Sequence, residues 1–368
     1  MKFKISADIL KNELANVGIA RDKRGDGGVM DGIYIGVSGG KIKLSGNNRE
    51  YSITKEFELG EGYAGGECEF VADKDFIDIV NKLDDGEVAF TYLEDGKVEI
   101  KQRGFKCIQQ VMSAKNFILR ELEENRIGMQ KIDKAELKLI LDSVTYACAK
   151  QEYNSTNVLM GIKIAAKDGN IQAAALDGNR IAIYTGEYNG SDIDIILPAR
   201  VLKDTIKIME DDIEIEQYDS AYVVKSGGYT LTINGLSGAF PNYERFLKDD
   251  YTGEIFVPVK ELTNAVDRLN VITKQKKAPI VLEYDSGTLK LSVNRDKSNA
   301  AEVIGGIDDS LNDESKPIRI GFDSTFLLEA LEATTGTAAK IKYTSELKPM
   351  VIESQSAVNV VCPLRLGD

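Results

Sequence analysis

One ten-residue pattern recurs six times along the chain. It reads ISADILKNEL at 5–14, VADKDFIDIV at 71–80, IDKAELKLIL at 132–141, LPARVLKDTI at 197–206, VPVKELTNAV at 257–266 and FDSTFLLEAL at 322–331. Each copy is apolar at its first, sixth and tenth positions, as in Ile5, Leu10 and Leu14 or Phe322, Leu327 and Leu331. The sixth and tenth positions lie four apart and share a helix face. The starts are separated by 66, 61, 65, 60 and 65 residues. A unit of about 63 residues is therefore repeated, and the alternation of longer and shorter gaps groups six units into three pairs. Amphipathic decamers are common, but six at near-equal intervals argue for one architecture used repeatedly.

Between these helices lie alternating runs joined by tight turns. GIYIGVSGGKIKLSG at 32–46, EVAFTYLEDGKVEIKQ at 87–102, GIKIAAKDGNIQAAALDG at 161–178, AYVVKSGGYTLTING at 221–235 and IVLEYDSGTLKLSVN at 280–294 each turn through a Gly-containing dipeptide. That is hairpin chemistry. Short alternating stretches such as Lys2–Ile5, Glu69–Val71 and Glu254–Val257 precede the helices and read as strands. The unit is strand, helix, hairpin strands, and the fold class is α+β. Two polar, Gly-containing joints, ELEENRIGMQ at 121–130 and LKDDYTGE at 247–254, divide the chain into expected domains 1–126, 127–250 and 251–368.

Composition narrows the chemistry. The chain has no histidine, and histidine is the commonest general base and metal ligand near neutral pH. The four cysteines, Cys68, Cys107, Cys148 and Cys362, are scattered and form no CxxC pair, which argues against zinc or a disulfide framework. There is no Walker-type loop and no GxSxG. No catalytic residue, cofactor or metal is expected. No run approaches the roughly 18 apolar residues of a membrane helix, and MKFKISADIL alternates where a secretory leader would be continuously apolar, so a cytoplasmic protein is expected. The net charge of −13 is wrong for a protein that holds nucleic acid by charge alone. Only the helix at 197–209 is net positive, through Arg200, Lys203 and Lys207 against Asp204. Lys11, Lys138 and Lys203 occupy the same repeat position, directly after the sixth-position leucine, and are candidates for one basic row.

Three segments are odd for strand ends: LDGNRIA at 176–182, FPNYERF at 240–246 and the terminal VVCPLRL at 360–366. Pro363 keeps the last from continuing as a central strand. An almost wholly apolar end must pack on something or form a binding surface. Together, in this order, they resemble the bacterial sliding clamp family, the β subunit of the replicative DNA polymerase. The TDGHR segment of that family appears here as Leu176-Asp177-Gly178-Asn179-Arg180, FPDY as Phe240-Pro241-Asn242-Tyr243, and the terminal PMRL as Pro363-Leu364-Arg365-Leu366; Leu159-Met160-Gly161 matches a further family feature. The resemblance covers the whole length. Asn179 replaces the family's histidine and Leu176 its threonine. In the first domain GDGGVMDGIYI at 25–35 and GNNREYSI at 46–53 depart from the usual runs.

The resemblance implies a head-to-tail homodimer closed into a ring, each chain forming half, with helices lining the hole and sheets outside. It implies sequence-independent, topological holding of duplex DNA, and tethering of polymerase, clamp loader and repair proteins through short Leu/Phe-containing peptides. The implied peptide pocket comprises Leu159, Leu176, Gly178, Asn179, Arg180, Ile181, Pro241, Arg245, Val360, Cys362, Pro363, Leu364, Arg365 and Leu366, with arginine stems walling it. The hairpins of the last unit are expected to end before Val360, leaving the tail free for partners. Arg24 and Gln151 are implied to touch the duplex backbone, beside the candidates Lys11, Lys138, Arg200, Lys203 and Lys207. At the implied dimer interface, Phe105 and Cys107 on an edge strand face Val271 and Ile272 after the fifth helix. The alternative is a β-rich repeat scaffold that does not encircle DNA.

Overall fold

The computed structural model describes all residues except 23–26, 94, 121, 123–124, 151–156, 248–249, 274–277, 296–297, 306, 308–316 and 367–368. Among the described residues the repeat is realised as strand, helix and three strands, six times over. The units are β1(Lys2–Ser6) α1(Ala7–Val17) β2(Ile33–Ser38) β3(Lys41–Asn47) β4(Tyr51–Glu58); β5(Cys68–Ala72) α2(Lys74–Asn81) β6(Glu87–Tyr92) β7(Lys97–Gln102) β8(Phe105–Gln110); β9(Gly128–Asp133) α3(Lys134–Val144) β10(Gly161–Lys167) β11(Asn170–Leu176) β12(Arg180–Glu187); β13(Ile193–Pro198) α4(Ala199–Thr205) β14(Asp212–Gln217) β15(Ala221–Ser226) β16(Tyr229–Asn234); β17(Gly253–Pro258) α5(Val259–Thr273) β18(Ile280–Asp285) β19(Thr288–Arg295) β20(Ser298–Ile304); and β21(Ile318–Phe322) α6(Ser324–Glu332) β22(Ala338–Tyr343) β23(Met350–Glu353) β24(Ala357–Val361).

The decamer straddles a junction. Its first residue ends a strand and its sixth and tenth lie in or directly after the helix, so the helices begin two residues or more later than the pattern does. All six first-position residues are buried, as are all sixth and tenth ones except Ile206, which is half-buried beyond the end of α4. Asp73 and Asp323 start α2 and α6 by accepting backbone N–H bonds, Phe76 N at 2.8 Å and Thr325 N at 2.9 Å, which satisfies donors the first helical turn leaves open.

The first strand of each unit does not pair with the strands that follow it. It pairs with the three-stranded meander of the other unit in its pair: β1 with β6, β5 with β2, β9 with β14, β13 with β10, β17 with β22 and β21 with β18. The two units of a pair thus exchange strands. The chain gathers into two compact units, 1–135 with 201–235, and 136–200 with 236–368. The first holds an eight-stranded sheet β5-β2-β3-β4-β16-β15-β14-β9 and a four-stranded sheet β1-β6-β7-β8. The second holds an eight-stranded sheet β13-β10-β11-β12-β24-β23-β22-β17 and a four-stranded sheet β20-β19-β18-β21. Each eight-stranded sheet is two four-stranded sheets fused through unit-final strands, β4 with β16 and β12 with β24.

In the first compact unit Phe76 of α2 packs edge-on against Phe70, centroids 5.6 Å apart, and Phe3 stacks on Phe90 at 5.1 Å. In the second, Leu262, Val266 and Leu269 of α5 and Leu327 and Leu331 of α6 share one core with the inner faces of β17–β24. The last strand reaches further than expected. Val360 and Val361 are buried residues of β24, and beyond it Leu364 N donates to Gly321 O at 2.7 Å while Leu366 packs on Gly321. The tail is therefore docked on β21 and contributes to the third repeat pair.

Candidate partner-binding site

The site rests on the β12–β24 seam. Side chains alternate between faces of a strand, and directly opposed residues share a face. Leu176 opposes Ile181, Ile181 opposes Val360 and Val360 opposes Val351; one pair along, Ala174 opposes Ile183, which opposes Val358. These residues form a single apolar cluster, against which Leu159, Phe240, Tyr243, Leu247 and Tyr251 pack half-buried. The Tyr243 hydroxyl donates to Gln172 Oε1 at 2.6 Å, and Phe240 meets the Tyr243 ring edge-on at 6.1 Å. Burial raises the Tyr243 hydroxyl above the ordinary phenol range.

Two loops rim this floor. Gly178, at φ 94°, occupies the left-handed region that glycine adopts without steric cost. Asp177 Oδ1 closes the turn by accepting from Asn179 N at 2.9 Å and Arg180 N at 3.2 Å. Cys362 N then donates to Asn179 O at 2.8 Å and joins the turn to the tail. Gly178, Asn179, Arg245, Leu364 and Arg365 are exposed, while Pro241, Cys362, Pro363 and Leu366 are half-buried. Burial, with Asp177 nearby, pushes the Cys362 thiol up.

Arg180 departs from the expected arrangement. Neighbouring residues of a strand point to opposite faces, so Arg180 leaves the apolar floor that Ile181 joins. It is only 3% exposed. Its guanidinium pairs with Asp177 Oδ2 at 3.0 Å and with Glu329 of α6, and lies over the rings of Phe326 at 4.4 Å and Tyr146 at 5.3 Å. Its stem does not wall the floor. The sequence reading also missed Ile183, Val351, Val358, Leu247 and Tyr251. The signal for Ile183 and Val358 was present: each lies two residues from a floor residue, hence on the same face.

The expected DNA-facing residues are scattered. Arg24 and Gln151 lie outside the described residues. Lys11 is half-buried and donates to Leu83 O at 2.5 Å, with Asp85 at 3.7 Å, so its ammonium serves the end of α2. Lys138 pairs with Asp142 one turn on. Arg200, Lys203 and Lys207 are exposed. At the expected interface, Phe105 and Cys107 do lie on edge strand β8. Val271 and Ile272, however, belong to the last turn of α5, which runs on to Thr273. Among the described residues no group of His, Cys, Asp and Glu could hold a metal, and no helix is long and apolar enough to cross a membrane.

Strand-exchanged repeat pairs fused through their last strands, with an apolar seam at one fusion, define a clamp-type array of three domains. Family models for the DNA polymerase III beta subunit match it throughout: the N-terminal domain over 1–118, the central domain over 131–242 and the C-terminal domain over 244–364. The chain belongs to the DNA polymerase III beta subunit family. It is similar to the beta sliding clamp of Rickettsia felis, 25% identical over 353 residues and 91% of each chain, and to that of Vibrio cholerae, 21% identical over 375 residues and the full length of both. The fold matches the beta subunit from DNA polymerase of Streptococcus pyogenes (TM-score 0.88, 19% identity) and the DNA polymerase sliding clamp of Bacillus subtilis (TM-score 0.88, 20% identity), each over 100% of both chains. The function is that of a DNA polymerase processivity factor, and a scaffold role without DNA is not favoured. No enzymatic family is among those matched.

Proposed function

We propose that two copies of this chain associate head to tail into a closed ring that encircles duplex DNA. In this reading domains 1–126, 127–250 and 251–368 place helices toward the hole, and the β12–β24 seam tethers polymerase, clamp loader and repair proteins by short peptides with Leu and Phe anchors. One observation carries the reading. Of six unit-final strands, β4, β16, β12 and β24 are joined in pairs within the chain, and among the described residues only β8 and β20 of the six remain at sheet edges. The rule that joins the others assigns β8 of one copy to β20 of the next.

The apolar content of those edges supports the assignment. Phe105 and Cys107 share the inner face of β8 with the core residue Ile100, and we assign them to Val271 and Ile272 of α5 in the second copy. On the outer face Ile108 is 50% exposed and Val303 of β20 63% exposed. Pairing them would cover an apolar edge that is otherwise an aggregation hazard.

Encirclement also accounts for the charge. At −13, the protein offers little counterion release, so direct affinity for linear duplex is weak and salt-sensitive. Retention then comes from topology, with exposed Arg200, Lys203 and Lys207, together with Arg24, Lys138 and Gln151, as candidate backbone contacts; Lys11, engaged at the end of α2, is set aside. Such a protein works in the cytoplasm, beside the chromosome. The test is retention on DNA: protein loaded on a nicked circle stays until the circle is linearised. Equal loss from intact and cut circles would overturn encirclement.

A further inference from the structure

We propose that a buried polar triad, Asn270 and Thr273 of α5 with Ser324 of α6, is a positioning group for self-association: it fixes the last turn of α5 so that Val271 and Ile272 face the second copy. The inference rests on the head-to-tail dimer proposed above, and adds residues buried behind that edge.

The packed face of α5 changes character along its length. Its buried positions run through Val259, Leu262, Ala265, Val266 and Leu269, all apolar, and end in Asn270 and Thr273. On α6 the buried face is likewise apolar at Leu327, Leu328, Ala330 and Leu331, but polar at its first residue, Ser324. These three side chains find one another. The Thr273 and Ser324 hydroxyls meet at 2.6 Å, Ser324 donates to Asn270 Oδ1 at 2.8 Å, and Thr273 Oγ1 lies 3.0 Å from Asn270 O and 3.2 Å from Asn270 Oδ1. Ser324 has one hydroxyl proton. With that proton on Asn270, Thr273 is the donor at 2.6 Å. The bonds therefore run from Thr273 out of α5 to Ser324 and back to Asn270, and tie the last turn of one helix to the first turn of the other.

Val271 and Ile272 lie between Asn270 and Thr273 in sequence and on other sides of the helix. Val271 is 70% exposed, and Ile272 is half-buried at the margin of the core. Rotation of a helical turn moves all its side chains together, so whatever fixes Asn270 and Thr273 also aims these two. Apolar residues in the triad positions would fill similar space, but apolar contact is non-directional and leaves the helix end free to settle differently on α6. Hydrogen bonds restrict both distance and angle. A second tie holds α5 toward the proposed edge, where Arg268 pairs with Glu302 of β20 through two N–H groups. Arg268 is largely exposed, so that tie is the weaker one.

The experiment separates position from cohesion. Asn270→Leu with Thr273→Val and Ser324→Ala removes donors and acceptors together, which is nearly neutral for folding. Sedimentation equilibrium on this triple variant is expected to show a dimer about tenfold weaker. Its melting temperature, compared in the Phe105→Ser, Ile108→Asp background so that dimer strength does not enter, should be unchanged or higher. Thr273→Ser, which keeps the hydroxyl, should dimerise as wild type. Wild-type dissociation in the triple variant would overturn the proposal, as would an equally weak dimer in Thr273→Ser. If the triple variant melts early, Thr273→Val replaces it. That change removes only the donor at 2.6 Å and should weaken the dimer severalfold, and a wild-type dimer there would refute the linkage. Val271→Ala with Ile272→Ala tells the two readings apart. Undiminished dimerisation by that variant would sink the assignment of α5 to the interface, whereas a weakened dimer there beside wild-type triad variants would leave the interface standing and remove only the role of the triad.

Discussion

A methyl group added at Gly321 should act with opposite sign in two backgrounds. Gly321 lies in β21, away from the positive-φ region, so alanine suits its backbone. An added Cβ would sit 2.5 Å from Leu366 Cδ2, 3.1 Å from Leu364 O and 3.1 Å from Leu366 Cγ. All three nearest atoms belong to the tail. The cost cannot exceed that of releasing the tail, which forfeits one backbone hydrogen bond, about 1 kcal/mol, and the half-burial of Leu366, about 1–1.5 kcal/mol. Full-length Gly321→Ala should therefore lose about 1–2 kcal/mol, and its peptide affinity should fall about tenfold or more if displaced Pro363–Leu366 form a wall of the site. In a chain truncated after Cys362 the clashing atoms are gone. There the same substitution should be neutral or stabilise by about 0.5 kcal/mol, because alanine restricts the unfolded chain. Scanning calorimetry and peptide titration on the four proteins read both effects. Equal destabilisation in both backgrounds would refute the argument, as would a truncation that unfolds the third repeat pair outright.

The proposed dimer edge gives a direct mutation: Ile108→Asp with Phe105→Ser should shift sedimentation toward monomer at micromolar concentration, and an undiminished dimer would refute the β8 assignment. Peptide affinity should be flat between about pH 6 and 7.5, because the chain has no imidazole and the raised Cys362 thiol stays protonated there; a titration step in that window would contradict it. Burial pushes the Cys68 thiol up to about 11 from its ordinary 9.0. Its stabilising contribution is complete below pH 9 and is lost as pH rises toward 11, at most about 2.7 kcal/mol and less for the solvent screening of a partly exposed thiol; Cys68→Ala should flatten that part of the alkaline stability curve.

The six-unit architecture was legible because its signal is local: an apolar pair one helical turn apart, followed by turn dipeptides. Strand exchange was not. The first strand of a unit has a meander immediately after it in sequence, yet pairs with the meander of its neighbour, and no local pattern distinguishes the two. The floor of the site was half legible. Leu176, Ile181 and Val360 stood in recognisable segments, whereas Tyr251 and Val351 lie in stretches with no distinguishing composition and join them only through tertiary pairing. Arg180 lies on the face opposite the one its segment suggests when read as a single surface, and alternation along β12 already divides it from Ile181. Lys11, Lys138 and Lys203 share a repeat position, but repeat position does not dictate what an ammonium meets, and Lys11 turns to the end of α2.

The repeat also accounts for why only one of the two seams is proposed as a peptide site. The β4–β16 seam has the same register as β12–β24. Asn47 opposes Ser52, Ser52 opposes Thr232 and Thr232 opposes Val223, where the other seam has Leu176, Ile181, Val360 and Val351. One pair along, Ser45, Thr54 and Thr230 stand where Ala174, Ile183 and Val358 do. Backbone and pairing are the same, while the face has changed from aliphatic to hydroxyl and amide. Burying those groups without partners would be costly, and the chain supplies partners: Ser45 and Thr54 hydroxyls meet at 2.9 Å, and Asn47 Nδ2 donates to Ile118 O at 2.8 Å. Arg120, just beyond Ile118, reaches the carbonyls of Glu50 and Thr232 at 3.3 and 3.4 Å and the Asn234 side chain. The segment leaving the first repeat pair is thus hydrogen-bonded along its own seam, with specific partners that an aliphatic peptide could not replace. At β12–β24 the corresponding segment contributes Phe240, Tyr243, Leu247 and Tyr251, which extend an apolar surface by contact area and leave half-exposed aliphatic and aromatic side chains of the kind the proposed peptide site requires. The difference between a sealed seam and a receptive one lies in about six side chains on one face of the sheet.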